Sequence, residues 1–332
     1  MELSVVIPCY RSARLVKRAI DSALAEGVSP GNIMVVEDGV FDDTVSVVSA
    51  CQGVRLTSLD RNQGAPYARN LALEHVTTKY VMFLDADDYV ENGLLRGLVD
   101  ALEHEGTDVA IGPWRYDGEG LRRDQTRLPT KLSNAEWIIA WTQLRFFPPC
   151  SVVWNADSIR RLGGWDERLK KNQDGELMIR AFLKGAKVSI SSCGNGVYWQ
   201  HASPHRVTSA KIDDLLHATG LIFEQLEKWV SAKAEIDFPI HYRNELGRYC
   251  CVTAWHAFAY DRIESGRYWM AKARAYGFNA RGYNYKTRFL AGCLGMRLSS
   301  KVRVRLEHSR AILQRKVPRA QVRADLEAAA IP

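Results

Sequence analysis

Short apolar runs alternate with stretches whose apolar residues recur every three or four positions through the first 115 residues. "LSVVIP" is the first β-rich run, and "SARLVKRAIDSALAEG" behind it spaces Leu15, Ala19, Ile20 and Ala23 along one helix face that Gly27 stops. "NIMVVED" predicts a second buried strand and "DDTVSVVSAC" a helix capped by Asp42 or Asp43. "VRLTSL" is a third strand, with a helix through "GAPYARNLALEHV" from about Gly64. "KYVMFLDADD" is a fourth, followed by a helix through "GLLRGLVDALEHEG", and "DVAIGPW" is a fifth. Such alternation predicts right-handed crossovers and a mostly parallel sheet flanked by helices, an α/β architecture.

The pattern then changes. Asp117 to Asn134 is polar and charged and predicts a loop or hairpin; "AEWIIAWTQLRFF" predicts an amphipathic helix and "PPCSVVWN" a strand leading to "DSIRRLGGWDERL". "NQDGELMIRAFLKG" predicts a helix with Leu177, Ala181 and Phe182 inward, and "KVSISS" and "GVYWQH" two more strands. From Lys211 to Gly277 the spacing of Leu215, Leu216, Ile222, Leu226 and Trp229 is helical. No long-period repeat points to a solenoid.

In an open α/β sheet, ligands gather beyond the carboxyl ends of the strands. Four strand ends here carry polar residues: Pro8-Cys9-Tyr10, Glu37-Asp38, Asp60-Arg61-Asn62 and Asp85-Ala86-Asp87-Asp88. Aspartates at such places commonly cap the next helix. Three acidic endings on one edge exceed what capping needs, and crowded carboxylates raise one another's pKa unless a positive charge lies among them. Asp85 and Asp87 form a D-x-D suited to a hard divalent cation, Mn²⁺ or Mg²⁺, that shares its shell with substrate phosphates.

Composition narrows the class. The chain of 332 residues is 46% hydrophobic and 25% charged, which excludes general disorder. Seven cysteines without a C-x-x-C pair favour a reducing compartment. "MELSVVIPCY" lacks the features of a signal peptide, and no stretch reaches the eighteen or more apolar residues of a membrane span. A cytoplasmic location follows as the expectation. Charge is uneven: twelve basic and three acidic residues follow Arg281 inclusive, leaving −2 of the overall +7 to residues 1–280.

With these pieces in order, the chain resembles a family 2 glycosyltransferase of the GT-A, Rossmann-like fold. "SVVIPCYR", "VVEDGVFDDT", "NQGAPYARNLAL", "FLDADD", "GGWDERL" and "NQDGEL" follow the family's order across about the first 205 residues. The resemblance implies a catalytic domain over 1–210, divided into a nucleotide-binding half (1–115) and an acceptor-binding half (116–210), then a helical region (211–280) and a basic amphipathic tail (281–332). It implies transfer with inversion from a nucleotide-diphosphate sugar, UDP by family frequency, to a hydroxyl of a glycan or lipid-linked acceptor, as in bacterial surface polysaccharide assembly.

Its site residues carry over one by one. Pro8 and Tyr10 would lie along the base and Asp38 would accept a hydrogen bond from it. Asp85 would face the ribose or the metal's shell, and Asp87 would ligate the cation. Arg69 would lie near the phosphates or be a surface guanidinium. Asp174 maps to the general base that takes the acceptor's proton, with a helix cap as the alternative. Gln173 stands where the family commonly has Glu. His201, rather than His205, would serve the metal or diphosphate. Trp165 would form the acceptor wall, Asp166 touch the acceptor or cap a turn, and Glu176 bind acceptor hydroxyls or face solvent.

Other classes fit less well. A nucleotidyltransferase would place glycines and a basic residue after the first strand, and a dinucleotide oxidoreductase would require G-x-G-x-x-G there; "PCYRSARLVKR" has neither. A non-catalytic membrane or RNA adaptor built on a transferase domain would not need Asp87 or Asp174, and both are present. No recognised nucleic-acid module accompanies the basic tail. "YKTRFLAGCLGMRLSSKVRVRLEHSRAILQRK" interleaves apolar and basic residues, as would either an interfacial helix drawn to anionic lipid on the inner face of the plasma membrane or a helix packed on the domain.

Overall fold

The computed structural model describes residues 1–39, 42–119, 125–143, 145–201, 211–232 and 240–278. His205 and the basic tail lie outside them. The chain divides into two compact units at Lys211.

In the first unit a seven-stranded sheet has the order β3-β2-β1-β4-β8-β6-β9. Its strands are β1 (Leu3–Cys9), β2 (Ile33–Glu37), β3 (Arg55–Ser58), β4 (Tyr80–Phe83), β6 (Val109–Ile111), β8 (Val152–Asn155) and β9 (Val188–Ile190). Every residue of β1, β2 and β4 is buried, as continuous apolar runs covered on both faces must be. Helices α1 (Val16–Ala25), α2 (Thr44–Ser49), α3 (Ala65–Glu74) and α4 (Leu94–Glu105) supply the crossovers. α1 buries Val16, Ala19, Ile20 and Ala23, the predicted stripe displaced by one residue at its start. Asp42 tightens the entry to α2 by accepting from the Thr44 N–H at 2.9 Å.

Strands β1, β2, β3 and β4 run parallel. β8 enters between β4 and β6, antiparallel to both. The fifth predicted strand is corrected to two. The chain leaves the main sheet at Gly112-Pro113, where proline can give no ladder hydrogen bond, and Trp114–Gly118 becomes β7 of a separate sheet of order β5-β10-β7. β5 (Tyr89–Glu91) begins directly after Asp88, and β10 (Asn195–Gln200) ends directly before His201. Trp114 also bridges Arg127 in antiparallel fashion, so the described part of the polar segment returns as a hairpin.

α5 (Asn134–Thr142) opens on a capping box formed by Ser133 and Glu136. It is not amphipathic: Trp137 through Thr142 are all buried, because this helix is packed from every side. α6 (Ala156–Leu162) and α7 (Gln173–Leu183) complete the unit, with Leu177, Ala181 and Phe182 inward as predicted.

The second unit holds α8 (Ile212–Ala232), α9 (Ile240–Ala259) and α10 (Ile263–Ala275). Its core gathers Phe223, Cys250, Ala254, Trp255 and Trp269, with Phe223 and Trp269 edge to face at 5.3 Å. Among the described residues no helix is long and apolar enough to cross a membrane.

Candidate active site

The strand order reverses between β1 and β4, and a cleft of about 610 Å³ opens beyond the carboxyl ends there. That volume suits a cofactor-sized ligand. Pro8, Tyr10, Asp38, Arg69, Asp85, Asp87 and His201 all line it, as do Arg11, Asn62, Lys170 and Gln173. Register explains the first of these. Cys9 pairs with Glu37 and Glu37 with Ser58, so the residues that follow each strand emerge on one edge.

Asp38 is buried and shapes the edge. Its carboxylate accepts from the Gln63 N–H (2.7 Å), the Gly64 N–H (2.9 Å) and the Asn62 amide (3.0 Å), fixing the loop that leads into α3. Gly39 beside it has φ +70, and a Cβ there would stand 2.1 Å from the main chain of Arg61, so the loop's approach requires glycine.

The acidic loop does not cap α4, whose N-cap is Gly93. Ligand atoms of Asp85, Asp87 and Asp88 all lie within 4.8 Å of one another. Two arginines offset this crowding. Arg69, 4% exposed, donates Nη2 to Asp85 at 2.5 Å and Nη1 to Gln173 at 2.9 Å, with its guanidinium 4.3 Å over the Trp165 ring. The surface alternative is corrected, because burial obliges the charge to take a partner, and Arg69 borders the cleft instead. Arg18 of α1 donates Nη2 to the Asp87 carbonyl at 2.6 Å and lies 4.0 Å over the Trp199 ring. The main-chain N–H of Trp199 in turn donates to Asp88 at 2.8 Å.

His201 follows on the same strand end, its Nε2 3.1 Å from Asp87 Oδ2. Carboxylate oxygens and one imidazole form a donor set that fits Mn²⁺ and, with less preference for the nitrogen, Mg²⁺. Asp87 and His201 would hold the ion, with Asp85 and Asp88 in its surroundings. Burial and the neighbouring acids Asp42, Glu37, Asp85 and Asp87 push the Cys9 thiol well up, so it stays protonated beside the cleft.

Asp174 lies in the first turn of α7, whose N-cap is Asn172 rather than Asp174. It borders a void of about 20 Å³ with Phe83, Trp154, Trp165 and Leu177. Burial raises its pKa, Asp85 adds to the rise, and the Gly175 N–H and Arg69 oppose it. A carboxylate made more basic in this way is a better proton acceptor.

The remaining predicted residues are placed differently. Trp165 is 4% exposed and lies beneath Arg69, where it shares the void with Asp174. Asp166 takes the turn role: it accepts from the Arg168 N–H at 3.0 Å and from Arg168 Nη2 at 2.6 Å, which holds its pKa down. Glu176 is corrected on both expectations. It is 1% exposed, with both carboxylate oxygens 2.8 Å from Arg180, and neither solvent nor an acceptor reaches it. Arg18, Trp199 and Lys170 were not anticipated. For Arg18 a signal existed: a charge flanking the apolar stripe of α1.

The cleft at the reversal of strand order and the D-x-D loop on its wall are the arrangement expected of the GT-A fold. Residues 4–162 match the model of glycosyl transferase family 2, so this domain is a member of that family. The succinoglycan biosynthesis protein ExoO of Rhizobium meliloti is 34% identical over 59% of this chain, and the match spans 60% of the ExoO chain. Staphylococcus aureus TarS 1–349, solved in complex with UDP-GlcNAc, superposes with a TM-score of 0.58 at 18% identity, covering 85% of this chain and 93% of its own. The mannosyltransferase PcManGT of Pyrobaculum calidifontis, in complex with GDP-Man and Mn²⁺, gives 0.51 at 16%, covering 91% and 86%. These two solved structures share the fold.

Proposed function

We propose that the chain moves a sugar, with inversion at the anomeric carbon, from a uridine-diphosphate donor to a hydroxyl of a glycan or lipid-linked acceptor in surface polysaccharide assembly. The observation that carries this is one cleft lined by Asp85, Asp87 and His201, with the pKa of Asp174 raised by burial and by the charge of Asp85 and opposed by that of Arg69. ExoO is named for succinoglycan biosynthesis, and TarS is solved with UDP-GlcNAc, which supports both halves of the reading.

Tyr10, 37% exposed on the cleft wall, offers its ring to the base, and Pro8 borders the same end. Asp38 fixes the loop against which the base would rest. A divalent cation held by Asp87 and His201 would act as a Lewis acid on the departing diphosphate. Asp174 takes the proton of the acceptor hydroxyl while that oxygen attacks the anomeric carbon from the face opposite the leaving group. Arg69 keeps Asp85 neutralised through this charge movement, since its guanidinium is already buried and oriented.

The test is a melting series with UDP, GDP and dTDP, each with and without Mn²⁺, followed by a transfer assay with the sugar donor of the best nucleotide. A bound nucleotide raises apparent stability by RT ln(1 + [L]/Kd). UDP with Mn²⁺ is expected to give the largest shift. Should no nucleotide shift the melt at millimolar concentration, the proposed donor class is wrong.

A further inference from the structure

Gln173 stands where the family commonly has Glu, and the structure shows what the neutral residue does. Its Oε1 accepts from Arg69 Nη1 at 2.9 Å, and its Nε2 donates to the Leu169 carbonyl at 3.2 Å. Both ends of the amide are therefore used, on a side chain in a residue 7% exposed. Glutamate could serve the first bond and would strengthen it, because Arg69 is a cation. It could not serve the second, because a carboxylate has no donor and would face a carbonyl oxygen across the same gap.

We propose that Gln173 is a positioning residue that ties the cleft wall at 167–170 to the arginine governing the acidic loop, and that the amide donor is the part the family's glutamate cannot replace. The bridge runs from Asp85 through Arg69 and Gln173 to the main chain at Leu169. Leu169 is buried, while Glu167 and Lys170 on either side of it line the cleft. Asn70, next to Arg69 on α3, makes a second tie: its amide donates to the Trp165 carbonyl at 2.9 Å and accepts from the Trp165 N–H at 2.8 Å. That second tie holds the chain just ahead of the wall at Trp165, whereas Gln173 holds the wall itself at Leu169. Through this bridge the wall at 167–170, which belongs to the half read as acceptor-binding, keeps a fixed register to the acidic loop across the same cleft. The proposal rests on the transfer reaction for its kinetic consequence, and on geometry alone for its mechanical one.

Gln173→Glu keeps a partner for Arg69 and loses the Leu169 bond; Gln173→Met loses both. Trypsin can report the wall directly, because Arg168 and Lys170 are exposed. Cleavage after Arg168, Lys170 and Lys171 is expected to run about fivefold faster in Gln173→Glu than in the wild type, at a melting temperature unchanged within a degree or two. The acceptor KM is expected to rise about tenfold and the donor KM to stay within twofold. In Gln173→Met both KM values rise. Wild-type cleavage and acceptor KM in Gln173→Glu would overturn the proposal, as would a fall in kcat alone in both variants, which would make Gln173 a partner of Asp174 and not of the wall. If the wild type transfers no sugar, the functional reading fails, and the proteolysis comparison still decides the bridge.

Discussion

Two charge clusters border the small sheet, and they are built to opposite ends. Around Arg115, 3% exposed, Nε and Nη2 meet the two oxygens of Glu91 at 3.0 and 3.2 Å, Nη1 meets Asp117 at 2.7 Å, and Nη2 also meets the Tyr89 hydroxyl at 3.2 Å. Burial alone would lower the pKa of that guanidinium, yet these bonds carry it above its ordinary value. Around Asp85, Asp87 and Asp88 the arginines act differently. Arg69 meets one carboxylate of the three, and Arg18 gives its bond to a main-chain carbonyl. The first cluster is closed by its own arginine; in the second, Asp85 and Asp87 line a cleft. A closed cluster is a joint, and carboxylates on a cleft wall are the place for a cationic ligand.

Replacing groups in the two clusters and at the base separates these roles. The largest effect is expected at Asp174→Asn, which removes the proposed proton acceptor and leaves the acidic loop intact. Transfer should fall about 10³-fold in kcat, roughly 4 kcal/mol, with the UDP-dependent melting shift retained. Single-turnover transfer set beside the melting shift checks it, and wild-type turnover would remove Asp174 from the chemistry.

Arg115→Met comes next and should touch stability alone. Taking away one partner of a buried ion pair costs about 3 kcal/mol or somewhat more, readable as a lower denaturant midpoint. Nucleotide affinity of the folded variant should match the wild type. A variant that folds as well as the wild type but loses nucleotide would show that the joint extends into the site. Asp87→Ala is the counterpart, with little change in the denaturant midpoint and about a tenfold weaker nucleotide Kd in Mn²⁺, or ~1.4 kcal/mol. Titration with and without the ion checks it, since the variant's affinity should no longer depend on Mn²⁺.

The contrast between the clusters also marks what a sequence can carry. Pro8, Asp38 and the Asp85-Asp87 pair are legible because a strand end is a local event: an apolar run stops, and the next residues must face the carboxyl edge. Arg69 is legible only as a helix residue, since its bonds to Asp85 and Gln173 cross 16 and 104 positions of chain. The small sheet is out of reach for the same reason, because it pairs Tyr89 with Val197 and Tyr116 with Tyr198. α5 misled through its own composition: scattered polar residues give a helix the look of an exposed face, while the packing around Trp137 and Trp141 is decided elsewhere in the chain.

The smallest effect bears on what kind of charge Asp174 is. Its pKa is raised by burial, so the folded chain holds that proton more tightly than the unfolded chain does. The stabilisation linked to it is complete below the unfolded value of about 3.9 and is lost as pH rises through the folded value. At neutral pH an ionised Asp174 therefore costs stability, and Asp174→Asn should melt at or slightly above the wild type, by about 1 kcal/mol at most, with the gap closing towards pH 4. The acid limb of kcat/KM should correspondingly lie above the usual aspartate range, because protonation of the base stops transfer. A helix N-terminus pulls the other way, favouring a negative charge in the first turn of α7. If Asp174→Asn melts clearly below the wild type at pH 7, that pull dominates: the carboxylate is then chiefly a support for α7, and the acid limb belongs to another group.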